Sequence, residues 1–183
     1  MRIIAGQYRG RKLVTAKGEW LRPTSDRNRE FIFSYLGALV HEATVLDLFA
    51  GTGGLGIEAL SRGARSAVFV DQSIHAVELI RKNLVWVAQP TEVFRMEARS
   101  FLHKTATPVD LLFADPPYRF DAFDEIMRLI FDRRLLNEQG LLIYESGSRN
   151  PLPAVPGFYE KKQKGLGDRS EERRVGKECR SRW

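Results

Sequence analysis

The stretch Thr44-Val-Leu-Asp-Leu-Phe-Ala-Gly-Thr-Gly-Gly-Leu-Gly56 decides how this chain is read. A short apolar run meets a cluster of glycines, and Leu55, Ile57, Ala59 and Leu60 follow at once. That order predicts a buried strand, a tight turn and a helix start. Gly51, Gly53 and Gly56 have the spacing of a dinucleotide-binding turn, where missing side chains let backbone N–H groups approach a ligand at a helix N-terminus. Glycines also end strands for conformational reasons alone, so the turn needs further support.

Two acids supply it. Asp47 stands inside the apolar run, where an unpaired buried carboxylate is costly. Asp71 follows a second apolar run, Ala67-Val68-Phe69-Val70, where an acid at a strand end can hold both hydroxyls of a ribose. An adenosine-containing cofactor with a cationic amine satisfies both. The ammonium of S-adenosylmethionine offers that amine, whereas nicotinamide enzymes, the other users of such a turn, usually have no acid at the Asp47 position.

Outward from this stretch the pattern is regular. Strands are expected near 44–49, 66–70, 92–95, 110–114 and 141–145, and helices near 53–61, 74–84, 99–103 and 122–132. Most of the strands are continuous apolar runs, as in strands covered on both faces, so the fold class is α/β with a doubly wound, mostly parallel sheet. Asn137 to Gly140 reads as the turn into Leu141-Leu142-Ile143-Tyr144. Upstream, residues 2 to 14 read as a small β-hairpin carrying Arg9, Arg11 and Lys12. Arg22-Pro-Thr-Ser-Asp26 reads as a helix start capped by Thr24 or Ser25, flanked by Arg22, Arg27 and Arg29.

With 183 residues, 43% of them hydrophobic, the chain can bury the core of one ordinary domain. It shows no run long enough to span a bilayer and no signal-peptide layout after Met1, so a soluble cytoplasmic protein is expected. Cys179 is the single cysteine, and His41, His75 and His103 are scattered, so no metal site is expected. Eight Lys/Arg against Glu19 and Asp26 in residues 1–29 match the +6 of the whole chain. A basic extension before a nearly balanced body fits an extension that meets a polyanion.

Asp115-Pro116-Pro117-Tyr118 ends the run Leu111-Leu112-Phe113-Ala114. In an open α/β sheet ligands sit outside the carboxyl ends of the strands, so this tetrapeptide should share a cleft with the glycine turn. Two prolines hold the chain stiffly and leave the Pro116 carbonyl and the Asp115 carboxylate as a pair of acceptors. Such a pair matches the two N–H donors of an exocyclic amine on a nucleobase, and Tyr118 supplies a π-face for the base.

In this order, the glycine stretch, Asp71 and Asp-Pro-Pro-Tyr resemble the class I S-adenosylmethionine-dependent methyltransferases that act on exocyclic amines. The opening Met1-Arg-Ile-Ile-Ala-Gly-Gln-Tyr-Arg-Gly-Arg-Lys-Leu13, with Leu21-Arg-Pro-Thr-Ser-Asp-Arg-Asn-Arg-Glu30, narrows the resemblance to the RsmD family of bacterial 16S ribosomal RNA guanine-N2 methyltransferases. The likeness runs to about residue 165. It implies that Asp47, Phe49, Ala50, Gly51, Gly53 and Gly56 hold the methionine end of the cofactor. Asp71 and Gln72 then hold the ribose, and Glu97-Ala98 lies where relatives touch the adenine amine. Asp115 to Tyr118 would be catalytic, and Arg9, Arg11, Lys12, Arg22, Arg27 and Arg29 would grip ribosomal RNA or the small-subunit particle, with the protein acting as a monomer. Adenine-N6 methylation of DNA or RNA, or RNA binding without catalysis, are the alternatives.

The resemblance stops at the end. Arg169 to Trp183 has no strand pattern and is similar to the translation of a sequencing-adapter oligonucleotide, so it is expected to be a non-native tail in place of the last strand. The expected organisation is therefore 1–40 as a basic RNA-gripping extension, 41–168 as the catalytic domain and 169–183 as the tail.

Overall fold

A computed structural model describes residues 1–15, 26–117, 122–147, 159–165 and 171–177. After a hairpin-like N-terminal turn, the chain runs through α1 (Asp26–Leu36), a single 3-10 turn (Gly37–Val40), β1 (Thr44–Leu48), α2 (Gly54–Ser61), β2 (Ser66–Asp71) and α3 (Ile74–Leu84). It continues through β3 (Thr91–Arg95), α4 (Ala98–Lys104), β4 (Val109–Ala114), α5 (Phe123–Asp132), β5 (Leu136–Gly147), β6 (Tyr159–Gly165) and β7 (Glu171–Lys177). One sheet in the order β3-β2-β1-β4-β5-β7-β6 collects the strands. The first five are parallel, and β7 pairs antiparallel with both β5 and β6.

Alternation along the strands builds two apolar layers, which is why the parallel strands read as unbroken apolar runs. Val45, Phe69, Phe113 and Ile143 pack with Ile32, Phe33, Ile57 and Leu60 on one side. Leu48, Leu112, Leu142 and Tyr144 pack with Phe101, Leu102, Ile126 and Ile130 on the other. The doubly wound α/β class is as expected from the sequence.

Three local expectations are corrected. Asn137–Gly140 is not a turn before the strand: β5 begins at Leu136, and its register with β4 slips between Val109↔Leu136 and Leu111↔Leu141. A bulge absorbs the extra residues, pinned by Asn137 Nδ2 donating to Asp110 Oδ1 at 2.7 Å. Second, the closing strand is present. Glu171–Lys177, within the segment expected to carry no strand, lies between β5 and β6. Ladder bonds are made by backbone groups, so a charged sequence can occupy the slot that the fold leaves between two strands.

Third, the N-terminal segment shares the main core. Ile3 and Leu13 are buried in it, and pairing is confined to the base of the turn, with Ile3 N–H donating to Arg11 C=O and Leu13 N–H to Met1 C=O. The turn docks on α2: Ile4 and Ala5 N–H donate to the Glu58 carboxylate at 2.8 and 3.0 Å, and Gln7 N–H donates to Ser61 C=O at 2.8 Å. Gly6 makes this approach possible, with φ of +84° and no room for a Cβ against the Ser61 carbonyl.

Arg29, expected at RNA phosphates, is wholly buried instead. It donates to Arg2 C=O at 2.6 Å and Asp26 Oδ1 at 2.7 Å, and lies 3.9 Å from buried Glu58. Its place in the helix explains this: three and four residues before Ile32 and Phe33, it sits on the stripe that faces the core. Arg22, Thr24, Ser25 and Tyr118 lie outside the described residues.

Candidate active site

The registers Leu48↔Val70 and Leu48↔Ala114 bring Phe49, Asp71 and Asp115 level with one another at the carboxyl edge of β1, β2 and β4. Strand order reverses here, between β1 and β4, and that reversal opens the crevice where such sheets take ligands. Asp47 sits two residues before Phe49 and is 2% exposed. Its Oδ2 accepts the Gly56 N–H at 2.8 Å. Burial pushes its carboxyl well above the usual range against the pull of that hydrogen bond, and the charges of Asp115 and Asp71 push it further.

The glycine turn is braced from within. Ala50 N–H donates to Val70 C=O at 3.1 Å, Gly53 N–H to Ala50 C=O at 2.7 Å, and Gly51 N–H to Asp71 Oδ2 at 2.9 Å. With Gly56 on Asp47, four of the N–H groups expected to line a ligand are used by the protein, which corrects the picture of an open row of donors. What the glycines supply is shape. Gly51 and Gly53 have φ of +56° and +78°, and a Cβ on Gly56 would overlap the Phe69 ring. Phe49 itself has φ of +57°, a conformation costly for a bulky side chain and typical of functional sites.

Asp71 also accepts Ser73 N–H at 2.8 Å on Oδ1, at the start of α3, and Gln72 is exposed beside it. Glu97 is committed to α4: Oε2 accepts Ser100 N–H at 2.9 Å as a helix cap, and Oε1 accepts Arg99 Nε at 2.9 Å. Desolvation, the largest single influence, raises its carboxyl, but the bonds from Ser100 and Arg99 together outweigh it and hold the group below the ordinary glutamate range. Ala98 is buried as the first residue of α4.

Asp115 and Pro116 are half-buried and Pro117 is exposed, just past β4. Tyr144, which the sequence reading passed over as strand core, is level with Ala114 and edge-on to Phe123 at 4.9 Å between ring centroids. Burial and the Asp115 charge push its hydroxyl upward, so it stays protonated beside the crevice. Register was the missing signal, because strand order cannot be read from the run Leu141 to Tyr144.

Arg9, Arg11, Lys12 and Arg27 are exposed. A buried amide joins the segment of Arg9, Arg11 and Lys12 to the glycine turn: Asn83 accepts Val14 N–H at 2.7 Å and donates to Val14 C=O and to Thr52 C=O, both at 3.0 Å. A separate cavity of about 460 Å³, lined among others by Gly6, Glu42, Arg62 and Arg65, lies at the amino ends of β1 and β2, away from the acids.

The donor set favours one kind of ligand. Three carboxylates of like charge converge, one of them buried, so a cation relieves their repulsion, and the left-handed turn beside Asp47 and Asp71 leaves backbone in place of side chains. A cofactor carrying both an ammonium and a diol fits these residues. Among the described residues no cluster of His, Cys, Asp or Glu could hold a metal ion, and no helix is long and apolar enough to cross a membrane.

The model of the family Conserved hypothetical protein 95 matches residues 1–171. Ribosomal RNA small subunit methyltransferase D of Escherichia coli is 41% identical over 157 residues, covering 85% of this chain and 79% of that protein. The solved structure of Escherichia coli yhhF superposes with a TM-score of 0.88 at 37% identity, covering 98% of this chain and 99% of that one. SMU.776, solved complexed with SAH, shares the fold alone, with a TM-score of 0.63 at 16% identity over 79% of this chain and 48% of its own. The chain belongs to the family Conserved hypothetical protein 95, the RsmD family of ribosomal RNA small subunit methyltransferases.

Proposed function

We propose that this chain transfers a methyl group from S-adenosylmethionine to the exocyclic N2 amine of a guanine in 16S ribosomal RNA. The convergence of Asp47, Asp71 and Asp115 on the glycine turn, in a chain of this family, carries the reading. Asp47 holds the cofactor's ammonium, and Asp71, with Gln72, its ribose hydroxyls. Phe49, Ala50, Gly51, Gly53 and Gly56 shape the bed of the methionine end. Ala98 and Glu97 would line the adenine, and Glu97 would reach it only by giving up part of its cap.

When bound, S-adenosylmethionine supplies a methyl group on a sulfonium, already activated for transfer. The protein's work is alignment. Asp115 and the Pro116 carbonyl accept the two N–H donors of the target amine, which turns its lone pair out of conjugation and fixes its direction. Tyr118 stacks on the base. The new N–C bond would form as the C–S bond broke, with a neutral thioether leaving, and the methylated nitrogen, then strongly acidic, would lose its surplus proton to Asp115 or water without a tuned base.

The partner is the small ribosomal subunit or its RNA, met by Arg9, Arg11, Lys12, Arg22 and Arg27, with the protein acting as a cytoplasmic monomer. Digestion to nucleosides after incubation with small-subunit particles and S-adenosylmethionine tests the proposal. N2-methylguanosine is expected, and N6-methyladenosine in its place would overturn the choice of base.

A further inference from the structure

Next to the exposed basic residues of the N-terminal turn lies a feature that charge does not explain. The Arg11 guanidinium is 4.8 Å from the centroid of the Trp86 ring, over its face. Tyr8 meets the same indole edge-on, 5.0 Å between centroids at 68°. Its hydroxyl is fixed in turn, donating to Gln89 Oε1 and accepting Ala88 N–H, both at 2.9 Å. Two segments far apart in sequence thus lock one indole, and the indole orients one guanidinium. Among the described residues Arg11 forms no ion pair.

We propose that Arg11, held over the Trp86 ring, is a stacking platform for an unpaired RNA base on the N-terminal turn. The inference rests on the RNA methyltransferase reading and names how the RNA is gripped. An exposed guanidinium held over the face of an aromatic ring is backed on one side and open to solvent on the other, and unpaired bases stack on guanidinium planes as well as on rings. A duplex hides its base faces and offers phosphates, for which an aromatic backing is unnecessary. The surroundings have the matching charge: Arg9 and Lys12 are exposed on the turn, and Arg81 and Lys82 are exposed in the last turn of α3, which leads into Trp86. Asn83, in that same helical turn, bonds Val14 and the Thr52 carbonyl, so the platform and the cofactor turn stand on one buried amide.

Binding of a fluorescent single-stranded oligoribonucleotide and of a duplex of equal length, at two salt concentrations, tests this on the full chain. Arg11→Lys keeps the charge and loses the plane. It should weaken single-strand binding about tenfold, the scale of one stacked base, and leave duplex binding and the salt slope unchanged. Trp86→Phe should stay near wild type, and Trp86→Leu should follow Arg11→Lys. If Arg11→Lys binds the single strand as wild type does, or loses both ligands equally, the platform is refuted, whatever the methylation assay shows. A working platform on a protein that methylates no guanine would refute the function and spare the platform.

Discussion

Asp71 receives the Gly51 N–H at 2.9 Å, so the acid at the end of β2 braces the glycine turn that follows β1. It also receives Ser73 N–H, and the carboxylate therefore orients both the turn and the start of α3. Asp71→Ala removes two charge-assisted hydrogen bonds and the ribose acceptors together. At roughly 1.5 to 3 kcal/mol for such a bond, affinity for S-adenosylhomocysteine should fall about 10- to 100-fold by calorimetry. Asp71→Asn, able to accept on its one carbonyl oxygen, should recover part of this. An Asp71→Ala protein that binds like wild type would sink both roles.

Asp47 gives the site a pH dependence with a definite sign. In the unfolded chain its carboxyl titrates near 3.8, and in the fold its value is raised, chiefly by burial. Between those points the unfolded state has released its proton while the native state keeps it. The stability this group contributes is thus full below the unfolded value and is lost as pH rises through the folded one. An ammonium ligand prefers the carboxylate, so cofactor affinity should rise over the same span. Asp47→Asn should raise the melting temperature of the cofactor-free protein at neutral pH, weaken cofactor binding more than tenfold and flatten its pH profile. Asp115→Asn removes one source of repulsion and should move the profile to lower pH while slowing transfer.

Arg29 and the exposed arginines should respond in opposite ways. Arg29 shares a buried cluster with Glu58, and removing one partner of a buried pair costs about 3 to 5 kcal/mol. At about 2 to 4 °C per kcal/mol for a chain of this size, Arg29→Ala should lower the melting temperature by roughly 10 °C. RNA affinity of the protein that remains folded should keep its salt slope. Neutralising Arg9, Arg11 and Lys12 together should do the reverse, with an unchanged melt, weaker RNA binding and a shallower salt dependence. Equal melting curves for the two variants would contradict the buried position of Arg29.

What was legible in the sequence follows from these contrasts. Apolar runs and the 3.6 period located the parallel strands and α3, and an acid inside an apolar run flagged Asp47. The same logic applies to Glu58, set among Leu55, Ile57, Ala59 and Leu60 and wholly buried: helical spacing names Arg62, four residues on, as one partner, yet Ile4 and Ala5 lie more than fifty residues away and the pattern cannot name them. Arg29 looks like surface because it stands among arginines near a helix start, although its spacing to Ile32 and Phe33 marks it as inward. Tyr144, Asn83 and Trp86 matter through strand register and packing, which no local pattern encodes. Glu97 caps α4 through the backbone N–H of Ser100, a donor that any residue but proline supplies, so no local pattern marks it.

The strand least visible in sequence is the one whose removal is most informative. β7 pairs with β5 from Leu141↔Lys177 to Gly147↔Glu171, and with β6 from Tyr159↔Lys177 to Gly165↔Glu172. Truncation after Asp168 would strip both ladders, leaving β6 with no neighbour and β5 as an edge. Each buried bond left unmade costs about 1 to 3 kcal/mol, against a domain margin of about 5 to 15 kcal/mol. The truncated chain should therefore melt early and broadly. Yet Glu-Glu-Arg-Arg-Val-Gly-Lys holds one large apolar residue, Val175, level with Ile143, where an interior strand is normally apolar throughout. Arg174 and Gly176 are level with Tyr144 and Leu142, so Arg174→Val with Gly176→Val should raise the melting temperature by several degrees if β7 holds this register. A truncation that leaves melting and methylation untouched would instead mark residues 169–183 as an appended sequence, as their likeness to an adapter implies, and the backbone slot as one the domain does not need filled.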